Sequence, residues 1–82
     1  MVLVEIYVAC LDKIYDFRLD KNVRIEQIID EIITVVSQKE DVSISLSKEH
    51  MTLSIVDKET IMNKQLTLSD YNVVEGMKLI LA

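Results

Sequence analysis

Several residue types are rare or missing from this chain, and each absence excludes a class of function. It has no proline, no tryptophan, one glycine, one cysteine and one phenylalanine in 82 residues. A single glycine excludes a glycine-rich phosphate-binding loop, and a single cysteine excludes an intramolecular disulfide and a thiolate metal cluster. So few aromatic residues argue against a deep aromatic-lined ligand pocket. We therefore expect no cofactor.

Catalytic and metal-binding residues are also not expected. His50 is the sole histidine and Cys10 the sole cysteine, which makes a zinc site improbable because such a site needs three or four ligands. His50 is expected at the surface. Cys10 is expected as a buried or half-buried inert thiol, since no histidine is near it in the sequence and Lys13 is its one basic neighbour. Acid–base chemistry needs a pocket, which nothing in the sequence implies. The sequence predicts a protein that is not an enzyme.

The charge balance favours a protein partner. Nine basic residues stand against fourteen acidic ones, for a net charge of −5, which on average repels nucleic acid and anionic membranes. No apolar stretch approaches the length of a membrane span. Residues 1–9 carry Glu5, lack a basic leader and alternate as signal peptides do not. We expect a cytoplasmic protein without membrane insertion.

The chain begins with two predicted strands. Over residues 2–9, alternate positions fall into two sets, which is the period of a half-buried strand; the sets are Val4, Ile6, Val8 and Leu3, Glu5, Tyr7. A second alternating run, Tyr15, Phe17 and Leu19 against Asp16 and Arg18, follows after the polar pair Asp12 and Lys13. The two runs predict a hairpin.

The period then changes to that of a helix. An apolar stripe at steps of three and four predicts a helix over residues 24–38; its members are Ile25, Ile28, Ile29, Ile32, Ile33 and Val36. Further strands are predicted at 51–56, 61–62 and 78–81. Residues 39–50 are polar with isolated Val42, Ile44 and Leu46, which leaves a pinned loop and a short irregular strand as open alternatives.

This order of elements predicts an α+β fold for a single domain over residues 1–82. One main helix would cover one face of a mixed sheet of four to five strands, and the ubiquitin-like β-grasp is the small fold that fits. Gly76, just before the last strand, is predicted to supply a positive φ at that turn.

A resemblance to a known family rests on three short segments. Residues 67–73 resemble the loop before the last strand of ubiquitin: Leu68 and Val73 would anchor it, Ser69 and Asp70 would bond backbone amides, and the Tyr71 hydroxyl would reach a loop carbonyl. The helix start at residues 25–30 and the ending at 75–81 are similar to those of the YukD/EsaB group. These are small bacterial ubiquitin-like proteins associated with type VII secretion.

The resemblance implies a non-enzymatic adaptor or regulatory component of such a secretion system. By analogy with related systems, its partner would be an FtsK/SpoIIIE-type ATPase or a membrane subunit of the machine with a cytosolic ubiquitin-like domain. The sequence ends on Leu81 and Ala82 without a diglycine, so we expect non-covalent binding. Two alternatives stay open: a conjugated or sulfur-carrier modifier, and a homo-oligomeric scaffold joined along a sheet edge.

A candidate protein-binding surface follows from the alternation of the strands. Leu3, Tyr7 and Ile80 are predicted on the sheet face opposite the helix, with Arg18 and Ser54 around them. An exposed tyrosine beside aliphatic residues can form a small binding hot spot. We expect the free protein to be a monomer or a weak homodimer.

Overall fold

The protein is described by a computed structural model over residues 1–41 and 50–82. The elements in chain order are β1 (Val2–Val8), β2 (Lys13–Leu19), α1 (Ile25–Glu40), β3 (Leu53–Ile55), β4 (Thr60–Ile61), a one-turn 3-10 helix (Ser69–Tyr71) and β5 (Lys78–Leu81). The predicted order of elements is confirmed. The hypotheses for Val42, Ile44 and Leu46 lie outside the described residues.

The described strands form one five-stranded sheet with the order β2-β1-β5-β3-β4. β5 runs parallel to β1 and antiparallel to β3, and the two outer pairs are antiparallel hairpins. The sheet is therefore mixed, and the last strand of the chain lies in its centre. This is an α+β arrangement consistent with the predicted ubiquitin-like β-grasp.

α1 covers one face of this sheet because its apolar stripe is continuous. All six predicted stripe residues, Ile25 to Val36, are at most 3% exposed, whereas Val35 beside them is 43% exposed. The helix begins without a side-chain cap. Instead, the N–H groups of Ile25 and Glu26 donate to the carbonyls of Leu66 and Lys64 at 2.9 and 3.1 Å, so the loop before β5 satisfies donors that a helix start leaves free.

The core lies between α1 and the inner face of the sheet. Within the described residues every buried side chain is hydrophobic, which avoids the cost of burying polar groups. β1 shows the alternation most clearly, since Val2, Val4, Ile6 and Val8 are buried and the residues between them are half-buried. The predicted division of β1 into two faces is confirmed.

The turn before β5 determines where the central strand lies against β1. Gly76 has a φ of 81°, as predicted, a conformation that L side chains rarely adopt. Its N–H donates to the carbonyl of Leu3 at 2.9 Å, and the N–H of Glu5 donates to the carbonyl of Met77 at 3.0 Å. These bonds place Lys78 beside Glu5 and Ile80 beside Tyr7.

Candidate functional site

The sheet face opposite α1, called the outer face here, carries all five residues predicted for protein binding. Leu3 and Tyr7 lie on β1, Arg18 on β2, Ser54 on β3 and Ile80 on β5. The strand register joins them in two groups, because Leu3 is paired with Arg18, and Ile80 is paired with both Tyr7 and Ser54. The structure therefore brings the predicted residues onto one face of the sheet, in two groups.

Five outer-face residues form a line across the whole sheet, which we call the outer row. Direct pairings connect them in the order Ile14, Tyr7, Ile80, Ser54, Ile61. Directly paired side chains on one face lie about 5 Å apart. Ile14 is 60% exposed and Ile61 is 67% exposed, so the two ends of the row present large aliphatic groups to solvent.

Sequence reasoning did not identify Ile14 and Ile61 as surface residues. The signal was present for Ile14, which falls out of phase with Tyr15, Phe17 and Leu19 and so belongs to the opposite face. Ile61 is the second residue of the two-residue strand β4, and buried Met62 follows it. So short a strand gives no periodicity that could separate the two positions.

A hydrogen bond holds Tyr7 in place at the middle of the outer row. Its hydroxyl donates to Oδ1 of Asp12 at 2.6 Å. Asp12 belongs to the turn between β1 and β2 and has a φ of 52°, a left-handed conformation that Asp tolerates better than most residues. The Asp12 hydrogen bond, and then partial burial and the Asp12 charge, raise the pKa of Tyr7 above its usual 10.0. This hydrogen bond orients the ring in the unbound protein.

A second line of outer-face residues carries charge. Glu5 on β1 is paired with Asp16 on β2 and with Lys78 on β5, and the N–H of Val56 donates to the carbonyl of Lys78 at 3.1 Å. A shallow groove of about 170 Å³ lies between this line and the outer row; its lining includes Glu5, Tyr7, Ile14, Val56, Lys78 and Ile80. Apolar side chains with charges at one border are typical of a protein-binding surface.

The loop at residues 67–73 has a structural role. Leu68 and Val73 are buried, as predicted. Asp70 accepts a bond from the Thr67 N–H at 2.9 Å, and Thr67 accepts one from the Asp70 N–H at 3.2 Å. The prediction for Tyr71 was wrong in its partner: the hydroxyl accepts a bond from the N–H of Asn63 at 2.7 Å. The Tyr71 ring is therefore held by a backbone N–H donor and not by a carbonyl acceptor.

A polar contact joins the end of α1 to the start of β2. Lys13 donates to Glu40, and Lys39 lies 5.4 Å from the centre of the Tyr15 ring. The Lys13 hydrogen bond lowers the pKa of Glu40, and the same bond raises the pKa of Lys13. Partial burial, and then the Glu40 carboxylate, raise the pKa of Tyr15. These contacts attach the helix to the hairpin on the side away from the outer face.

Other predicted positions give a mixed result. His50 is exposed, as expected. The prediction that Cys10 is buried or half-buried was wrong: it lies in the exposed turn after β1, where the inward alternation of the strand has ended. The described residues contain no group of three or more His, Cys, Asp or Glu that could hold a metal ion. Over the same residues, no helix has both the length and the hydropathy needed to cross a membrane.

Comparison with known protein families gives one match that covers nearly the whole chain. The family model described as "WXG100 protein secretion system (Wss), protein YukD" matches residues 3–81. No curated protein matches the chain. The matched segment includes β1 from Leu3 onward, α1, the other four strands of the described sheet and all the residues of the outer row.

Proposed function

The chain belongs to the YukD family of accessory proteins of the WXG100, or type VII, secretion system, and from this we propose that it is a non-enzymatic adaptor. In this proposal the protein acts in the cytoplasm and binds a component of the secretion machine non-covalently. The outer face of the sheet is the docking surface. Leu3, Tyr7, Arg18, Ser54 and Ile80 contribute to it, together with Ile14 and Ile61.

The observation that carries the proposal is the outer row. It places the hydrogen-bonded ring of Tyr7 and the side chain of Ile80 between two aliphatic residues that are at least 60% exposed. A tyrosine held by its own hydrogen bond loses little conformational entropy when a partner covers it. Exposed isoleucines contribute binding energy because burial removes their apolar surface from water. These are the properties expected of a binding hot spot.

The partner proposed is a protein of the secretion machine, either the FtsK/SpoIIIE-type ATPase or a membrane subunit with a cytosolic ubiquitin-like domain. The choice of these two is an analogy with related systems and does not come from the site itself. The outer face carries both signs of charge, with Glu5 and Asp16 near Lys78 and Arg18. A partner with a mainly apolar surface and a mixed polar rim therefore fits better than a strongly basic one.

The test replaces Tyr7 and Ile80 together by Ser in the secreting cell. We expect a loss of co-purification with machine components and a loss of secretion, because both changes remove apolar area from the centre of the face. The matched control replaces Val35 and Leu66 by Ser, which are 43% and 40% exposed and lie outside the outer row. Unchanged co-purification and secretion in the Tyr7 and Ile80 variant would contradict the docking proposal.

A conjugated or sulfur-carrier modifier is the competing hypothesis, and it makes a different prediction. A conjugated modifier would be found attached to other proteins through an isopeptide bond, whereas an adaptor would be recovered unmodified. Mass spectrometry of the tagged chain from cell lysate separates the two. An isopeptide-linked adduct would replace the adaptor proposal by the modifier hypothesis.

A further inference from the structure

Two opposite charges lie side by side at the centre of the outer face without a direct ion pair between them. Glu5 on β1 and Lys78 on β5 are directly paired in the parallel register of the two central strands. Across residues 1–41 and 50–82, neither side chain takes part in an ion pair or a side-chain hydrogen bond. Both side chains are therefore available to a partner outside the chain.

The register makes this arrangement complementary to itself. A two-fold axis can be drawn parallel to the strands, above the outer face and midway between β1 and β5. This axis exchanges β1 of one copy with β5 of the other. Positions at the same level along the strands are then brought face to face. Glu5 of each copy meets Lys78 of the other, and Tyr7 meets Ile80. We propose that the outer face binds the outer face of a second copy of this chain about this axis.

The next strands outward support the same geometry. The axis exchanges β2 with β3, because these strands flank the central pair, and it therefore brings Ile14 over Ser54 at the level of Tyr7. Ile14 is 60% exposed, and Ser54 is the one small side chain of the outer row. A large side chain thus meets a gap between Ile80 and Ile61, as close packing between two sheet faces requires.

The complete contact is isologous, so each favourable pairing occurs twice. Its polar part consists of two ion pairs of Glu5 with Lys78, and its apolar part consists of Tyr7, Ile80 and Ile14 from both copies. Sheets packed face to face keep their strands within about 30° of parallel, which suits an axis that preserves the strand direction. The pairing does not depend on the proposed function. Where both hold, the second copy and the machine component compete for one face.

The test uses charge reversals that separate the dimer from the single chain. Glu5→Lys places two lysines opposite each other at both contacts, and Lys78→Glu places two glutamates there. We expect the dissociation constant of the dimer, measured by sedimentation equilibrium, to rise at least about tenfold for each variant alone. An equimolar mixture of the two variants should associate like the wild type, because opposite charges again face each other across the axis.

Recovery of association in the mixture distinguishes contact between two copies from an effect inside one chain. Within each variant, residues 5 and 78 still carry the same charge, so only contact with the other variant can restore the attraction. Glu31→Lys makes the same charge change on the exposed side of α1 and should leave association unchanged. Ser54→Leu fills the gap under Ile14 and should weaken the dimer, although it adds apolar surface. Thermal unfolding of each variant shows whether it remains folded.

Each outcome bears on the proposal. Association of the wild type that is weakened by either reversal and recovered in the mixture supports it. A wild type that stays monomeric at the highest soluble concentration overturns it and leaves the outer face to the secretion partner alone. A dimer that is indifferent to both reversals, or a mixture that does not recover, also overturns it and points to pairing along a sheet edge.

Discussion

The two faces of the same sheet contrast sharply, although the same strands build both. The inner face of β1 presents four valines and isoleucines that are at most 4% exposed under α1. The outer face of that strand presents Leu3, Glu5 and Tyr7, which are half-buried and face no element of the described chain. The inner face stabilises the fold, and the outer face is free to carry recognition. Matched substitutions on the two faces test this division, because they compare the effect on stability with the effect on binding.

The largest expected effect comes from one matched pair of substitutions. Ile6→Ala removes a fully buried side chain of the inner face and should lower the free energy of unfolding by about 2–5 kcal/mol, through lost burial and a cavity. Ile14→Ala makes the same chemical change on the outer face, where the side chain is 60% exposed, and should cost less than about 1 kcal/mol.

Urea denaturation of both variants measures this contrast directly. Equal losses of stability for the two variants would contradict the view that the inner face stabilises the fold and the outer face does not. The Ile14 variant should instead lose binding, which the co-purification and sedimentation experiments report.

A smaller effect is expected at the turn that aligns the two central strands. Gly76 has no other heavy atom within 4 Å of the position that a Cβ would take, so Gly76→Ala introduces no clash. Its cost is the left-handed backbone, about 1–2 kcal/mol for an L residue. Gly76→Asn should cost less, since Asn tolerates that region better. Thermal or urea unfolding compares the two, and an alanine variant as stable as the wild type would show that the turn relaxes.

The smallest effect concerns a single phenol on the outer face. The folded pKa of Tyr7 is raised above 10.0, so the stability that its neutral form contributes is complete below pH 10.0 and is lost as the pH rises through the folded pKa. Asp12→Asn removes the negative charge and should move the pKa of Tyr7 down towards 10.0. Titration of the tyrosine ring signals by NMR measures the shift.

The control for this titration is Asp16→Asn, which removes a charge from the same face without touching the Tyr7 hydroxyl. It should leave the Tyr7 titration nearly in place. If the pKa of Tyr7 is the same in the wild type and in the Asp12→Asn variant, the hydrogen bond does not persist in solution.

Much of the fold was predictable because its signals are local. The helix was predicted at residues 24–38 and lies at Ile25–Glu40, and the last strand was predicted at 78–81 and lies at Lys78–Leu81. Hydrophobic periods of 3.6 and 2 residues carry that information within one segment. The candidate site was predicted in part, since Leu3, Tyr7 and Ile80 share the outer face, while Ile14 and Ile61 were missed.

Two errors concern a hydrogen-bond partner and a turn, which hydrophobic periodicity does not report. The hydroxyl of Tyr71 was assigned to a carbonyl, but the N–H of Asn63 is the group that it reaches. Cys10 was expected to be buried or half-buried, but it lies in the exposed turn that follows Val8, the last residue of β1. Periodicity says which way a side chain points within a strand and nothing about what meets it.

The sequence by itself determined the order of the strands and the main helix, the side of β1 that faces the core and the need for a positive φ at Gly76. Each of these depends on neighbours within a few residues. The tertiary structure alone decided that β5 lies between β1 and β3, which places Lys78 beside Glu5 and Ile80 beside Tyr7. The paired residues of β1 and β5 are 73 positions apart in the chain. Their register depends on how the whole core packs, since a shift of one residue would turn every inward side chain outward. The surface proposed for binding is therefore a product of the packed fold.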